Sequence, residues 1–296
     1  MSEALQNKPR QGILWLASYP KSGNTWTRVF LHNLFSALEG RDAEQDINRL
    51  GEYTAWDLAV SAYEPLLGKP IAQASRAEIA AVRPRVQEAV ALRTNGIAMV
   101  KTHQALVSDR GTPTINFAMS SGAIYIVRNP LDVAVSFAAH LAVDIDEAIE
   151  QMATQGLETD ITERSVYEVY GSWSQHVESW TRNPHRAMHV MRYEDMIEAP
   201  LQTFSGLAAH LLLRPTAQQL SDTIARSSFE RLKEQETRAG FLEKPDGAQR
   251  FFRAGRTGEW RKVLGRRQVR KIVSAHHVQM RRFGYLSDDI RHLADS

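Results

Sequence analysis

Four short apolar runs punctuate the chain, at residues 13–17 (ILWLA), 97–100 (IAMV), 123–127 (AIYIV) and 187–191 (AMHVM). Unbroken runs of this length, without polar alternation, are the pattern of strands covered on both faces in a parallel sheet. Between them the spacing becomes helical: Leu31, Leu34, Phe35 and Leu38 follow the first run, and Val166, Tyr170, Trp173, Val177 and Trp180 recur at intervals of 4, 3, 4 and 3. The second set predicts a helix over 166–180 packed on the sheet. Asn129-Pro130-Leu131-Asp132 carries the marks of a helix start, with Asn as N-cap, Pro at the first helical position and an acid in the first turn. Residues 41–95 show no strand-like alternation and read as a mostly helical excursion. The pattern predicts an α/β fold, a central parallel sheet flanked by helices, in one domain spanning residues 1–296.

Each apolar run ends in polar or charged residues. In an open parallel sheet the ligand crevice lies beyond the carboxyl ends of the strands. That rule alone brings Lys21, Lys101, His103, Arg128 and Tyr193 to one place. The first strand end is the most informative. Tyr19-Pro20-Lys21-Ser22-Gly23-Asn24-Thr25 is a tight polar loop feeding a helix, so unpaired backbone N–H groups and the positive end of the helix dipole would face an anion together with the Lys21 charge. The familiar nucleotide loop GxxxxGK[ST] carries its lysine after the glycine; here Lys21 precedes Gly23. Further along, Arg253-Ala254-Gly255-Arg256-Thr257-Gly258-Glu259-Trp260 puts two arginines and two glycines in one loop, suited to gripping a phosphate. Asp132 and Ser136 share a helix face two turns from Arg128. Residues 233–250, polar and containing Gly240, Pro245 and Gly247, are the candidate mobile loop or lid.

Composition narrows the chemistry. With no cysteine among 296 residues there is no disulfide framework, thiolate metal site or cysteine nucleophile, which fits a reducing compartment. The first residues lack the apolar centre of a signal peptide, and no apolar run approaches the ~18 residues needed to span a bilayer, so a cytoplasmic protein without membrane contact is expected. Net charge is only +2, yet residues 250–282 carry eleven Lys or Arg against one acid, Glu259. Such a segment serves nucleic acid, an anionic cofactor or a solvated helix face. Tyr53, Trp56 and Tyr63 belong either to an acceptor pocket or to ordinary core. No metal-ligand cluster is visible. His103, two residues beyond Lys101 at the crevice, can take a proton near neutrality and is the candidate general base; His176 lies off its stripe and is given no role.

Three separated segments, Tyr19 to Trp26, Arg128 to Ser136 and Arg253 to Trp260, are similar to the signature regions of sulfotransferases that use 3′-phosphoadenosine 5′-phosphosulfate (PAPS), in particular the cytosolic branch. Fainter matches occur at Val100-Lys101-Thr102-His103, at 171–177 and at Tyr193-Glu194-Asp195-Met196. The resemblance implies a P-loop-like phosphosulfate-binding strand-loop-helix in which Lys21, Ser22, Gly23, Asn24, Thr25 and Trp26 hold the 5′-phosphosulfate and the adenine side. It implies that Arg128, Ser136, Arg253, Ala254 and Gly255 hold the 3′-phosphate, and that Tyr193, Ser227, Ser228 and Phe229 meet the adenine and nearby phosphate. His103 then falls on the catalytic base, with Lys21 and Lys101 stabilising charge on the leaving phosphate. The expected function is direct in-line sulfuryl transfer from PAPS to a hydroxyl or amine of a small molecule, leaving adenosine 3′,5′-bisphosphate (PAP) and needing no metal. The rivals are a P-loop small-molecule kinase and a non-enzymatic nucleotide- or nucleic-acid-binding module using the basic segment. Arg261 stands where the family has lysine, and the family's carboxyl-terminal dimer motif is not recognisable, so oligomeric state is not inherited.

Overall fold

The computed structural model describes residues 11–41, 43–244, 250–253 and 255–295. At its centre are five strands, β1 (Gly12–Ser18), β2 (Thr54–Trp56), β3 (Ile97–Thr102), β4 (Ser120–Val127) and β5 (Met188–Arg192), all paired parallel in the order β2-β3-β1-β4-β5. Six helices bear on the site: α1 (Asn24–Leu38), α2 (Arg76–Arg93), α3 (Pro130–Leu141), α4 (Trp173–Thr181), α5 (Phe229–Ala239) and α6 (Arg266–Arg282).

The four apolar runs form β1, β3, β4 and β5, and their residues divide between two cores. Ile13, Trp15 and Ala17 of β1 and Ala123, Tyr125 and Val127 of β4 pack with residues of α3, α4 and α6. Leu16, Ile124 and Ile126 point the other way, to Phe30, Leu31 and Leu34 of α1 and to Phe204 and Leu207. Burial on both faces is why the runs of β1 and β4 lack alternation, whereas Val190 of the edge strand β5 is exposed. With β3 on one flank of β1 and β4 on the other, the crevice opens beyond the end of β1.

Three expectations change. Residues 41–95 include β2, whose three residues at the sheet edge are too short to show a period; most of the rest is helical, with a 3-10 helix at Ile47–Glu52 and a short α-helix at Val60–Leu67 before α2. The helix predicted over 166–180 begins only at Trp173, where Ser172 and Gln175 form a reciprocal capping box. Ahead of it, Ser165 bridges to Ala59 and Val169 to Glu158, and Val166 and Tyr167 join Leu58, Tyr63 and Ile79 in a satellite core. Of the candidate loop 233–250, the stretch to Ala239 is helical in α5, and 245–249 lies outside the described residues. Among the described residues no helix is long and apolar enough to cross a membrane.

A buried ion pair fixes the excursion against the strand ends. Arg83 of α2 meets Asp109 at 2.8 Å, both essentially without solvent contact, and the Tyr167 hydroxyl donates to the same carboxylate at 2.6 Å. Arg110 also pairs with this carboxylate, so removing Arg83 takes away one of its two cations and a buried charge-assisted hydrogen bond. Arg83→Met is therefore expected to lower unfolding free energy by about 3 kcal/mol, read from the shift of the urea midpoint; a shift under about 1 kcal/mol would contradict the role given to the pair.

Candidate active site

A cavity of about 630 Å³ opens at the carboxyl ends of β1, β3 and β4, and Lys21, Lys101, His103, Arg128 and Tyr193 all line it. The convergence expected from the strand-end rule is therefore present. Gly23, Asn24, Thr25 and Trp26 line it from the first loop, Ser136 from α3, and Phe229, Arg253 and Gly255 from the far side. Ser22, Ser227 and Ser228 do not.

The first loop is built to receive an anion. Lys21 (φ 65°) and Gly23 (φ 106°) both adopt left-handed backbone, and α1 starts at Gly23 with no side-chain cap over its first-turn amides. A Cβ at Gly23 would stand 2.7 Å from the Tyr193 ring, so only glycine lets that ring close against the loop. Asn24 ties the loop to β1 by donating to the Leu16 carbonyl at 2.7 Å. The Ser22 hydroxyl and the Asn24 carbonyl oxygen are buried with no partner. The Lys21 ammonium lies 4.1 Å from the centre of the Phe251 ring. Burial, then the charges of Arg128, Lys101 and Arg253, bring its pKa down to about 7.

The second arm comes from the β4 end and the glycine-rich loop. Arg128 donates to the Lys21 carbonyl at 2.8 Å and lies 4.1 Å over the Tyr193 ring, while its Nε is buried without a partner. Asp132, in the first turn of α3, accepts from the backbone of Gly258 at 2.7 Å and of Trp260 at 3.1 Å. This acid clamps the loop to α3 and so places Arg253 near Arg128. Arg253 itself is held by two 2.9 Å hydrogen bonds to Glu259. At Gly255 (φ 60°) a Cβ would overlap the Phe229 ring at 2.1 Å, which sets the contact between loop and α5. Ala254 lies outside the described residues.

The two serines are spent on the frame. Ser227 accepts from Asn33 at 3.0 Å through its hydroxyl and from the Trp26 indole at 2.7 Å through its carbonyl, and Ser228 caps α5. The later part of the basic segment forms α6, whose Arg266, Arg267, Arg270 and Arg281 face solvent while Val269, Ile272 and Met280 pack inward. Of the three aromatic residues of the excursion, Trp56 lines the cavity, Tyr63 is core and Tyr53 stacks on His32.

His103 is the most constrained group. Its Nδ1 lies 2.7 Å from the Ser18 carbonyl oxygen. A carbonyl only accepts, so Nδ1 carries the hydrogen and the neutral ring keeps its lone pair on Nε2. Burial first, then the Lys101 charge, hold its pKa well below the ordinary histidine value, so it stays neutral in the free protein. The backbone of His103 is gripped on both sides. Its N–H donates to Glu168 at 2.9 Å, and its carbonyl accepts from His176 Nε2 at 3.1 Å, with the Tyr125 hydroxyl donating to His176 Nδ1 at 2.9 Å. His176, assigned nothing from sequence, is thus a positioning residue; a histidine off the apolar stripe gives no hint of a partner 73 residues away. Glu168 and Glu243 were also missed. Glu243 pairs with Arg28 at 2.8 Å and Lys101 at 3.2 Å; against the upward push of burial, these two cations bring its pKa down to about 2.

The sulfotransferase domain family matches residues 12–284. The chain belongs to the sulfotransferase family. Similar sequences include dog sulfotransferase 1B1, 26% identical across 94% of this chain and 86% of the relative, and human sulfotransferase 1E1, 23% identical across 88% and 80%. Similar folds include mouse sulfotransferase SULT7A1 complexed with PAP (TM-score 0.60, 19% identity, 97% of this chain and 90% of that one). Retinol dehydratase in complex with androsterone and PAP is another (TM-score 0.62, 18% identity, 90% and 80%). Among the described residues of this sulfotransferase no group of three or more His, Asp or Glu could hold a metal ion.

The lowered pKa of Lys21 has a direct chemical consequence. Near neutral pH this side chain holds a far larger share of neutral amine than an ordinary exposed lysine, while its charged form remains available to an anion. A limiting dose of an acylating reagent should modify Lys21 ahead of the exposed Lys262, with the rate falling as pH drops below 7, as mapped by peptide mass spectrometry. Equal labelling of the two would contradict the electrostatics described.

Proposed function

We propose that this sulfotransferase is PAPS-dependent and moves a sulfuryl group directly to a hydroxyl, or an amine, of a small molecule, with His103 as general base. The observation that carries the reading is one cavity that takes Lys21, Lys101 and Arg128 beside an imidazole whose Nε2 has no hydrogen-bond partner among the described residues. The residues fit the donor: an Arg128 Nε without a partner among the described residues, the uncapped first-turn amides of α1 and two lysines lining the cavity call for a multiply charged anion. Lys21, Ser22, Gly23, Asn24 and Thr25 would hold the 5′ end. Arg128, Ser136, Arg253 and Gly255, with Ala254, would hold the 3′-phosphate, the group that distinguishes PAPS from ordinary adenosine nucleotides. Trp26, Tyr193 and Phe229 would flank the adenine, with Ser227 and Ser228 acting through them as framework. PAP in the complex with the mouse relative supports a donor of this kind. A cytoplasmic location follows the same reading and suits a chain without cysteine.

When bound, PAPS supplies the sulfuryl group, its bond to the 5′-phosphate oxygen breaking as the acceptor oxygen bonds to sulfur. His103 Nε2 receives the proton of the acceptor hydroxyl, so the product is a sulfate ester and the base leaves as imidazolium until it loses the proton to solvent. Lys21 and Lys101 meet the charge that grows on the departing phosphate. No side chain need bond covalently to sulfur.

Incubation with labelled PAPS and a panel of phenols, alcohols and amines tests the reading, with PAP affinity measured alongside. Transfer to at least one acceptor is expected, together with a fall of at least about 100-fold in kcat for His103→Ala while PAP affinity stays within about threefold. Absence of both transfer and PAP binding would refute it; undiminished turnover in His103→Ala would remove the base.

A further inference from the structure

Beside His103 the cavity contains a carboxylate that the transfer reaction does not use. Glu168 is only 8% exposed and lines the cavity together with Trp56, Leu58, Val166 and Tyr170. One of its oxygens takes the His103 N–H at 2.9 Å. Among the described residues it makes no ion pair, and its cationic neighbour Lys101 is engaged with Glu243. Asp57 stands behind it and adds negative charge. A carboxylate in this setting loses its hydration and gains no counter-charge; burial accordingly raises its pKa to about 7. A ligand that brings a cation to it would recover that loss.

The rest of the site favours a cation there. The clustered positive groups, Lys21, Arg128 and Arg253, sit at the nucleotide end, where the proposed donor would neutralise them with several negative charges of its own. With those charges offset, Glu168 is left beside the base as a carboxylate with no ion pair among the described residues. Trp56 and Tyr170 line the same cavity, and aromatic rings favour an ammonium group nearby.

We propose that Glu168 is a specificity-determining residue that anchors a protonated amine on the acceptor. The acceptor class is then an amino alcohol, its hydroxyl reacting at His103 Nε2 and its ammonium held by Glu168. The nitrogen is the anchor and not the nucleophile. This rests on the sulfotransferase reading above and names the acceptor class for it.

The test compares a short homologous series of amino alcohols with alkanols in which methyl replaces the ammonium group, and with the matching diols, using the wild-type protein and PAPS. The best amino alcohol should exceed its matched alkanol and diol by at least about tenfold in kcat/KM, mainly through KM. Glu168→Gln should bring that ratio close to one, and Glu168→Asp should keep the preference but move it to the next longer homologue. Because Glu168 also holds the His103 backbone and its variants can fail to fold, calorimetric binding of each series to the PAP-loaded wild type stands beside them, with the amino alcohols expected to bind at least about tenfold more tightly. Equal or better use of alkanols or diols by the wild type, weaker binding of the amines, or a preference that survives in Glu168→Gln would overturn the inference while leaving sulfuryl transfer intact. Failure of the wild type to bind PAP would instead sink the sulfotransferase reading, and this inference with it.

Discussion

The contact between His103 Nδ1 and the Ser18 carbonyl holds the site together. It joins the ends of two neighbouring parallel strands, β1 and β3, at the point where β1 gives way to the anion-binding loop. Because the carbonyl can only accept, the contact selects the tautomer and leaves Nε2 with its lone pair. The chain then secures the same residue twice more through its backbone, with Glu168 on the N–H and His176 on the carbonyl. Glu168 lies in the segment leading into α4 and His176 in α4 itself, so the orientation of the ring depends on how that stretch is seated, and the seating depends on the satellite core around Tyr63 and Tyr167.

The cations around this imidazole impose an opposing constraint. Lys21, Lys101, Arg128 and Arg253 stand close enough to depress the pKa of Lys21, an arrangement that costs stability unless negative charge is nearby. In this structure Glu243 supplies part of that charge to Lys101 and Arg28, and the Phe251 ring covers Lys21. Like charges held together in a partly dry cavity bind a polyanion more strongly than the same groups spread over a surface, because the protein has already met the cost of assembling them. Burial, with the Lys101 charge second, lowers the pKa of His103, so Lys101 contributes both to anion affinity and to a neutral base.

Much of this was legible in the sequence because parallel strands leave simple marks. Buried runs show no alternation, their polar ends converge, and a loop with lysine ahead of glycine stands apart from the ordinary nucleotide loop. What could not be read depends on contacts between distant residues. β2 is too short for a period. The regular spacing of Val166 and Tyr170 with Trp173 suggested one helix, yet the capping box at Ser172 starts it late and the earlier residues pack against the excursion. Ser227 and Ser228 look like ligand groups in sequence, but their hydrogen bonds go to Asn33, Trp26 and the first turn of α5. Glu168, His176 and Glu243 gave no local signal, since their importance comes from partners 65, 73 and 142 residues away.

The central claim is that burial keeps His103 neutral while the strand-end contact keeps its hydrogen on Nδ1 and the lone pair on Nε2. Nitrogen-15 NMR of histidine-labelled protein, with His103 assigned by substitution, measures this directly. The account predicts one Nδ1-protonated tautomer across neutral pH, with conversion to imidazolium only well into the acid range. A ring protonated at Nε2, or one already charged at neutral pH, would contradict it.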